Sequence, residues 1–146
     1  MFLYNAILER ADANNPVLVC LIGAGKFGAM FLSQVPTTPG LEVVAIIDLE
    51  PDRAKRTCLH VGWSTDLIAR TTFSDDLSEI SLKQPIDVMV EATGNPVVGV
   101  YHALFSIKNG WHTIMVNVEA DVLAGAHLSK LAQSAGLVYS MAYGDQ

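Results

Sequence analysis

Short continuous apolar runs alternate along the chain with segments in which apolar residues recur every three or four positions. The runs are typical of strands buried on both faces, and the periodic segments are typical of helices that pack one side. The runs predict strands at 17–22, 42–48, 71–73, 86–91, 112–117 and 137–142. The periodic segments predict helices at 2–13, 25–35, 51–61, 74–80, 96–108 and 121–135. Residues 62–69 fit neither pattern.

The order of these elements predicts the fold class. Strand, helix and strand repeat until six strands are reached, and such alternation gives parallel strands joined by crossover helices. We therefore expect an α/β fold with a doubly wound, six-stranded, mainly parallel sheet and helices on both faces. The first predicted helix, within residues 1–16, precedes this sheet.

Composition narrows the class of protein. The chain has 146 residues, of which 51% are hydrophobic and 16% charged, a balance that favours one packed domain over disorder. Its longest apolar run, Val17–Ile22, is far shorter than the ~20 residues that cross a bilayer, so no membrane partner is expected. A net charge of −6 argues against nucleic acid as a partner. With two cysteines and no secretory signal, the expected location is the cytoplasm.

A glycine motif follows the first predicted strand and opens the next helix. Gly23, Gly25 and Gly28 form GxGxxG, with Lys26 and Phe27 between the last two glycines. The first glycine permits a tight turn, the second lets a pyrophosphate approach the backbone, and the third lets the helix pack closely. The helix N-terminus supplies free N–H groups and a favourable dipole for the phosphates. These five residues predict a dinucleotide site in a Rossmann fold at 17–146.

An acidic residue at the end of the second predicted strand completes this fingerprint. Asp48 lies 20 positions after Gly28, where a carboxylate binds the adenosine ribose hydroxyls and favours NAD(H). Arg53 and Arg56 follow five and eight positions later, and either could reach the 2′-phosphate of NADP(H) or lie on a solvated helix face. The residues alone leave the choice of cofactor open.

The loops after the fourth and fifth predicted strands should lie beside the other half of the cofactor. Thr93 and Gly94 follow the fourth strand, and Asn117 ends the fifth, where we expect cofactor contacts. Glu91 fits either a site residue or a buried carboxylate. The four histidines lie on separate elements without metal-ligand spacing, so they fit structural or exposed positions and no metal site is predicted.

Four stretches carry a resemblance to a known family: LIGAGKFGAMFLSQVP (21–36), VEATGNP (90–96), VNVEADVLAG (116–125) and VYSMAYGDQ (138–146). The chain resembles the NAD(P)-binding domain of homoserine dehydrogenase-like oxidoreductases. Within them it is most similar to the 1-deoxy-D-xylulose 5-phosphate reductoisomerase-like branch. The resemblance implies NADP(H) as cofactor, hydride transfer to a carbonyl, and a step of isoprenoid precursor synthesis. It also implies a homodimer and a C-terminal catalytic domain.

Two departures from the family pattern shape the expected function. Homoserine dehydrogenases place a lysine after the asparagine that matches Asn117, whereas this chain has Val118, which favours the reductoisomerase-like branch. The catalytic domain of the family is not among these 146 residues, so we expect cofactor binding with little or no turnover. The catalytic residues are therefore left unassigned. A homoserine dehydrogenase-type domain, a nucleotide sensor and a non-catalytic remnant are the alternatives.

Overall fold

The computed structural model describes residues 2–142, and it shows seven helices and six strands in that range. The predicted domain end at 146 and the last four residues of the stretch 138–146 lie outside the described residues. The helices are α1 (Phe2–Asp12), α2 (Lys26–Gln34), α3 (Pro51–His60), α4 (Thr65–Arg70), α5 (Leu77–Lys83), α6 (Pro96–Lys108) and α7 (Val118–Ser134). The strands are β1 (Val17–Ile22), β2 (Leu41–Ile47), β3 (Thr72–Ser74), β4 (Val88–Glu91), β5 (His112–Met115) and β6 (Tyr139–Met141).

The six strands form one sheet in the order β3-β2-β1-β4-β5-β6, and every pair is parallel. This order confirms the prediction of a doubly wound Rossmann sheet, with the refinement that it is parallel throughout. The strand order reverses between β1 and β4. In such sheets ligands bind in the crevice beyond the carboxyl ends of the strands at that reversal.

Alternation along β1 explains why both faces of the sheet carry helices. Val19 and Leu21 pack into a core with residues of α2 and α3, whereas Cys20 and Ile22 pack into a second core with residues of α5. Side chains of a strand point alternately to its two faces, so a strand that is apolar at every position needs cover on both. A third cluster joins β5 to α6 and α7.

Helix α1 lies at the amino ends of β1 and β2, opposite the carboxyl ends that carry the glycine loop. Gly40, just before β2, has φ +77°, and a Cβ there would lie 2.2 Å from the Ile7 carbonyl oxygen of α1. The same glycine accepts a hydrogen bond from the N–H of Val17, the first residue of β1. The N-terminal helix is therefore placed by the amino ends of the strands, away from the ligand crevice.

Several predicted boundaries were wrong, among them those of the helix predicted at 74–80: α5 spans Leu77–Lys83, because Asp76 caps it by accepting from the Ser78 N–H. β5 ends at Met115 and α7 begins at Val118, because the side chain of Asn117 caps α7 by accepting from the Ala120 N–H at 3.1 Å. β4 begins at Val88 instead of residue 86, and the Asp87 carboxylate just before it accepts from the Leu18 N–H. The unassigned segment 62–69 contains the start of α4, capped by Ser64.

Candidate functional site

The three glycines of the motif do different work in the loop between β1 and α2. Gly23 has φ +93°, and a Cβ there would lie 2.9 Å from the Ala92 carbonyl group of the neighbouring loop. A Cβ on Gly28 would lie 2.2 Å from the Gly23 carbonyl oxygen. A Cβ on Gly25 would meet nothing within 4 Å. Two glycines therefore serve close backbone packing, and Gly25 faces open space, where a ligand can approach.

Helix α2 offers unpaired N–H groups beside that open space. Gly25 is its N-cap and has no side chain to cap it, and the Ala29 N–H donates to the Gly25 carbonyl at 2.8 Å. The N–H groups of the first turn are then free for an anion, and the helix dipole favours one. The Phe27 side chain packs against the core, so this residue can serve a ligand only through its backbone.

Asp48 follows β2 and is the polar anchor of the loop. Its side chain is buried, and its Oδ2 accepts from the Ala24 N–H at 2.9 Å. Its Oδ1 accepts from the Glu50 N–H at 2.9 Å and from Arg53 Nη2 at 2.8 Å. Burial alone would raise the pKa of Asp48, but these two N–H groups and the guanidinium outweigh it and lower the pKa below its usual value. The carboxylate is ionised at neutral pH and keeps about one of its four acceptor positions free.

One cleft of about 370 Å³ brings together six of the predicted site residues. They are Gly23, Gly25, Asp48, Arg53, Thr93 and Gly94. The remaining lining comes from strand ends, from the loops after β2, β3 and β4, and from α6: Ile22, Ile47, Leu49, Asp75, Ala92, Asn95, Val98 and His102. The carboxyl ends of β1, β2 and β4 therefore converge on the cleft, as the strand order requires.

A second groove, of about 420 Å³, lies between α2 and α3. Its cationic lining residues are Lys26, Arg53 and Arg56, with His60 beside them. Arg53 lines both the groove and the cleft. The groove concentrates three of the nine Lys and Arg residues of an acidic chain next to the Asp48 carboxylate. It therefore adds a positively charged surface to that end of the cleft.

A buried polar network joins the loops after β4 and β5. The fully buried Oε1 of Glu91 accepts from the Thr93 N–H and hydroxyl, and it lies 3.2 Å from His102 Nδ1. Asn117 Nδ2 donates to the Asn95 carbonyl at 2.8 Å. Asn117 and Gly28 are not among the cleft-lining residues. Both instead hold the backbone that shapes the cleft.

Sequence reasoning missed His102 as a cleft residue. The pattern placed it on a helix, where a structural or exposed position was expected, and it supplied no partner. The structure buries this histidine against Glu91 and makes it part of the cleft wall. For Glu91 the structure favours the buried carboxylate, bonded to the Thr93 backbone as well as to two side chains. A strand-end carboxylate followed two residues later by threonine was the available signal.

Other titratable groups give no second centre in the part of the chain that the structure describes. Within residues 2–142, no group of three or more His, Cys, Asp or Glu side chains is arranged to hold a metal ion. Burial raises the pKa of the Cys20 thiol to about 12 and that of the Cys58 thiol to about 11, so neither is a reactive thiolate at neutral pH. Of the described helices, none has the length and hydropathy that a membrane crossing requires.

The parallel sheet, the glycine loop at a helix N-terminus and the carboxylate after β2 define a dinucleotide-binding Rossmann domain. Residues 17–143 match the GFO/IDH/MocA family, described as an oxidoreductase family with an NAD-binding Rossmann fold. The chain therefore belongs to the GFO/IDH/MocA oxidoreductase family. The comparison with curated proteins gave no match.

Solved structures show the same fold at low identity. A homoserine dehydrogenase from Thiobacillus denitrificans matches with 19% identity and a TM-score of 0.70, over 86% of this chain and 29% of that one. The WlbA dehydrogenase from Bordetella pertussis, solved with NADH and UDP-GlcNAcA, matches with 19% identity and a TM-score of 0.68, over 86% and 36%. A myo-inositol 2-dehydrogenase from Lactobacillus plantarum matches with 16% identity and a TM-score of 0.67, over 89% of this chain and 38% of that one. This chain thus spans about a third of the length of these structures.

Proposed function

We propose that this chain is the cofactor-holding part of an oxidoreductase that transfers hydride between NADP(H) and a carbonyl. The observation that carries the proposal is the open approach at Gly25, which lies between free N–H groups of α2 and the carboxylate of Asp48. The N–H groups suit a pyrophosphate, and the carboxylate suits a ribose hydroxyl. When bound, the nicotinamide would supply the hydride.

The residues of the cleft would hold the two halves of the cofactor differently. Asp48 would accept from the adenosine ribose, and the backbone N–H groups of α2 would bind the pyrophosphate without a neutralising side chain. Thr93 and Gly94, after β4, would lie beside the second ribose. Because the Glu91 carboxylate accepts from the Thr93 hydroxyl, that side chain is held in one orientation. The chain's own contribution is thus orientation and charge compensation.

The preference for NADP(H) is supported by charge beside the ribose acceptor. A carboxylate at this position ordinarily repels a 2′-phosphate. Here the guanidinium of Arg53 lies 2.8 Å from Asp48 Oδ1 and neutralises that repulsion. Arg56 and Lys26 add positive charge in the adjoining groove. A 2′-phosphate could then bind arginine in place of the Asp48 pair, with the carboxylate still held by the Ala24 and Glu50 N–H groups.

Replacing Arg53 by leucine should separate the two cofactors. We expect the Kd for NADPH to rise about 10- to 100-fold, the value of a charge-assisted bond to phosphate, and the Kd for NADH to change less than about threefold. The difference arises because only NADPH carries the 2′-phosphate. Calorimetric titration of both cofactors measures it, with Arg70→Leu as the matched control, since Arg70 pairs weakly with Glu42 on the surface. Equal weakening of both cofactors would leave Arg53 a loop-stabilising role only.

The reductoisomerase-like branch is supported by two stretches that meet at the cleft edge. VEATGNP (90–96) leads from β4 to α6, and VNVEADVLAG (116–125) leads from β5 into α7. Val118 begins α7 with a half-exposed apolar side chain, where homoserine dehydrogenases have lysine. An apolar side chain there can neither bind nor protonate a substrate oxygen. We therefore favour 1-deoxy-D-xylulose 5-phosphate over aspartate semialdehyde as the substrate class, in a step of isoprenoid precursor synthesis.

The function is tested by following NADPH oxidation with each of these two substrates. We expect NADPH to bind without steady oxidation, because we place the proton donor and substrate-binding groups outside these 146 residues. Steady oxidation with 1-deoxy-D-xylulose 5-phosphate alone would contradict that division but keep the substrate class. Steady oxidation with aspartate semialdehyde would contradict the substrate class. Failure to bind either nicotinamide cofactor would contradict the proposed function itself.

A further inference from the structure

The histidine on the cleft wall has one nitrogen held and one nitrogen free. His102 Nδ1 lies 3.2 Å from Glu91 Oε1, a carboxylate with no exposed surface. Within the described residues 2–142, Nε2 has no hydrogen-bond partner, and it keeps some exposed surface. Since His102 lines the cleft and its Nδ1 is turned to Glu91, Nε2 is the polar atom of this side chain that a ligand could use.

Glu91 determines what that free nitrogen can do. Oε1 of Glu91 acts as an acceptor, since it takes the Thr93 N–H, and its approach to His102 is then completed by a proton on Nδ1. In the neutral ring Nε2 is then an acceptor with a lone pair directed away from Glu91. The Thr93 N–H and hydroxyl bind the same carboxylate oxygen and fix its position. The cleft therefore contains a positioned acceptor that requires an N–H or O–H donor from its ligand.

The surroundings of His102 indicate which part of a dinucleotide lies next to it. Val98, four residues earlier and thus on the same face of α6, is 38% exposed and lines the cleft. Leu49, immediately after the ribose acceptor Asp48, is 90% exposed and lines it too. Two exposed apolar side chains beside a ribose acceptor suit the faces of a planar base. Because Asp48 is proposed to bind the adenosine ribose, the base beside Leu49 is adenine, and its exocyclic amino group is an N–H donor.

We propose that His102 recognises the adenine base of the cofactor, with Nε2 accepting a hydrogen bond from the exocyclic amino group. This inference rests on the proposed function, since it needs a dinucleotide in the cleft. It makes His102 a specificity-determining residue, and Glu91 the residue that positions it. A hypoxanthine dinucleotide has an oxo group in place of the amino group, so two lone pairs would face each other.

The test is a calorimetric titration with NADPH and with its hypoxanthine analogue. The unsubstituted protein should bind NADPH about tenfold more tightly than the analogue, the size expected for one hydrogen bond whose loss leaves its partner unpaired. His102→Leu should bind both about equally. His102→Gln, which restores a carbonyl acceptor, should recover part of the difference. A purely structural role of His102 would weaken both dinucleotides by the same factor and leave their ratio unchanged.

Two further variants make the result specific. His127→Leu removes an exposed histidine of α7 and should leave the tenfold ratio intact. Asp75→Asn changes another side-chain acceptor among the cleft-lining residues and should also leave the ratio intact. Equal binding of the two dinucleotides to the unsubstituted protein would overturn the inference and leave the proposed function standing. A ratio that disappears in Asp75→Asn but persists in His102→Leu would overturn it as well. Binding of neither dinucleotide would overturn both.

Discussion

Replacing Gly25 by alanine should weaken NADPH binding about 100-fold and leave the melting temperature unchanged. The free energy of folding should not change because a Cβ at this position meets nothing within 4 Å and the residue has φ −75°, which alanine adopts freely. Binding should fail because the methyl group fills the space through which a pyrophosphate reaches the N–H groups of α2. Loss of one or two charge-assisted hydrogen bonds corresponds to about this factor.

Gly110→Ala is the control with the opposite expected result, a loss of stability without a loss of binding. Gly110 follows α6 at φ +77°, also with no atom within 4 Å of a built Cβ, and it does not line the cleft. Alanine there should cost about 1 kcal/mol of folding free energy from the left-handed backbone and leave NADPH binding unchanged. Calorimetry and thermal unfolding of both variants measure the two effects. A Gly25→Ala protein that binds NADPH normally would show that the pyrophosphate does not approach this glycine.

Replacing Gly28 by alanine should damage the fold itself. A Cβ there would lie 2.2 Å from the Gly23 carbonyl oxygen and 3.1 Å from its carbonyl carbon. These are backbone atoms between β1 and α2, so no flexible side chain can yield and the loop must shift. We expect a loss of about 3 kcal/mol, at the upper end of overpacking effects, and a melting temperature lower by roughly 10 °C. NADPH binding should be lost together with stability.

Denaturant titration and thermal unfolding measure the effect of Gly28→Ala, and Gly25→Ala is its matched control three residues away. The two variants add the same methyl group to the same motif but to different surroundings. We expect Gly28→Ala to be unstable, and Gly25→Ala to be stable but unable to bind NADPH. Unchanged stability of Gly28→Ala would mean that the close approach between α2 and the loop is not needed for this fold.

Much of the fold could be predicted because strands buried on both faces form continuous apolar runs that are easily recognised in the sequence. VLVCLI in β1 is apolar at every position, and the structure uses both sides of it, with Leu21 in one core and Cys20 in the other. The glycines and Asp48 are also local signals, because each is required by backbone geometry or by a strand end. The convergence of Gly23, Gly25 and Asp48 at one cleft follows from the topology that alternation predicts.

The boundary between β5 and α7 was predicted wrongly because a polar residue between two apolar ones caps a helix instead of ending a strand. Asn117 stands between Val116 and Val118, and this spacing reads as the end of a strand. In the structure the asparagine side chain accepts from the Ala120 N–H and donates to the Asn95 carbonyl, so the helix starts at once. Helix α4 has only six residues, too few for a period to be visible.

The parts of the site that the sequence could not predict are contacts between elements. Glu91 and His102 are eleven residues apart, and nothing in their spacing shows that a strand end and a helix face place them 3.2 Å apart. Likewise, the sequence suggested that Arg53 binds a phosphate or faces solvent, whereas the structure shows it paired with Asp48. Such pairings depend on the packing of α3 and α6 against the sheet, which periodicity does not specify.

The proposed cofactor site is tested most directly by calorimetric titration of the 146-residue chain with NADPH and, separately, with NADH. We expect saturable binding of NADPH with a micromolar Kd and weaker binding of NADH, both lost in Gly25→Ala. Binding of both cofactors with equal affinity would keep the dinucleotide site but contradict the assigned role of Arg53 and its groove. Saturable heat for neither cofactor would contradict the claim that these residues form a cofactor site.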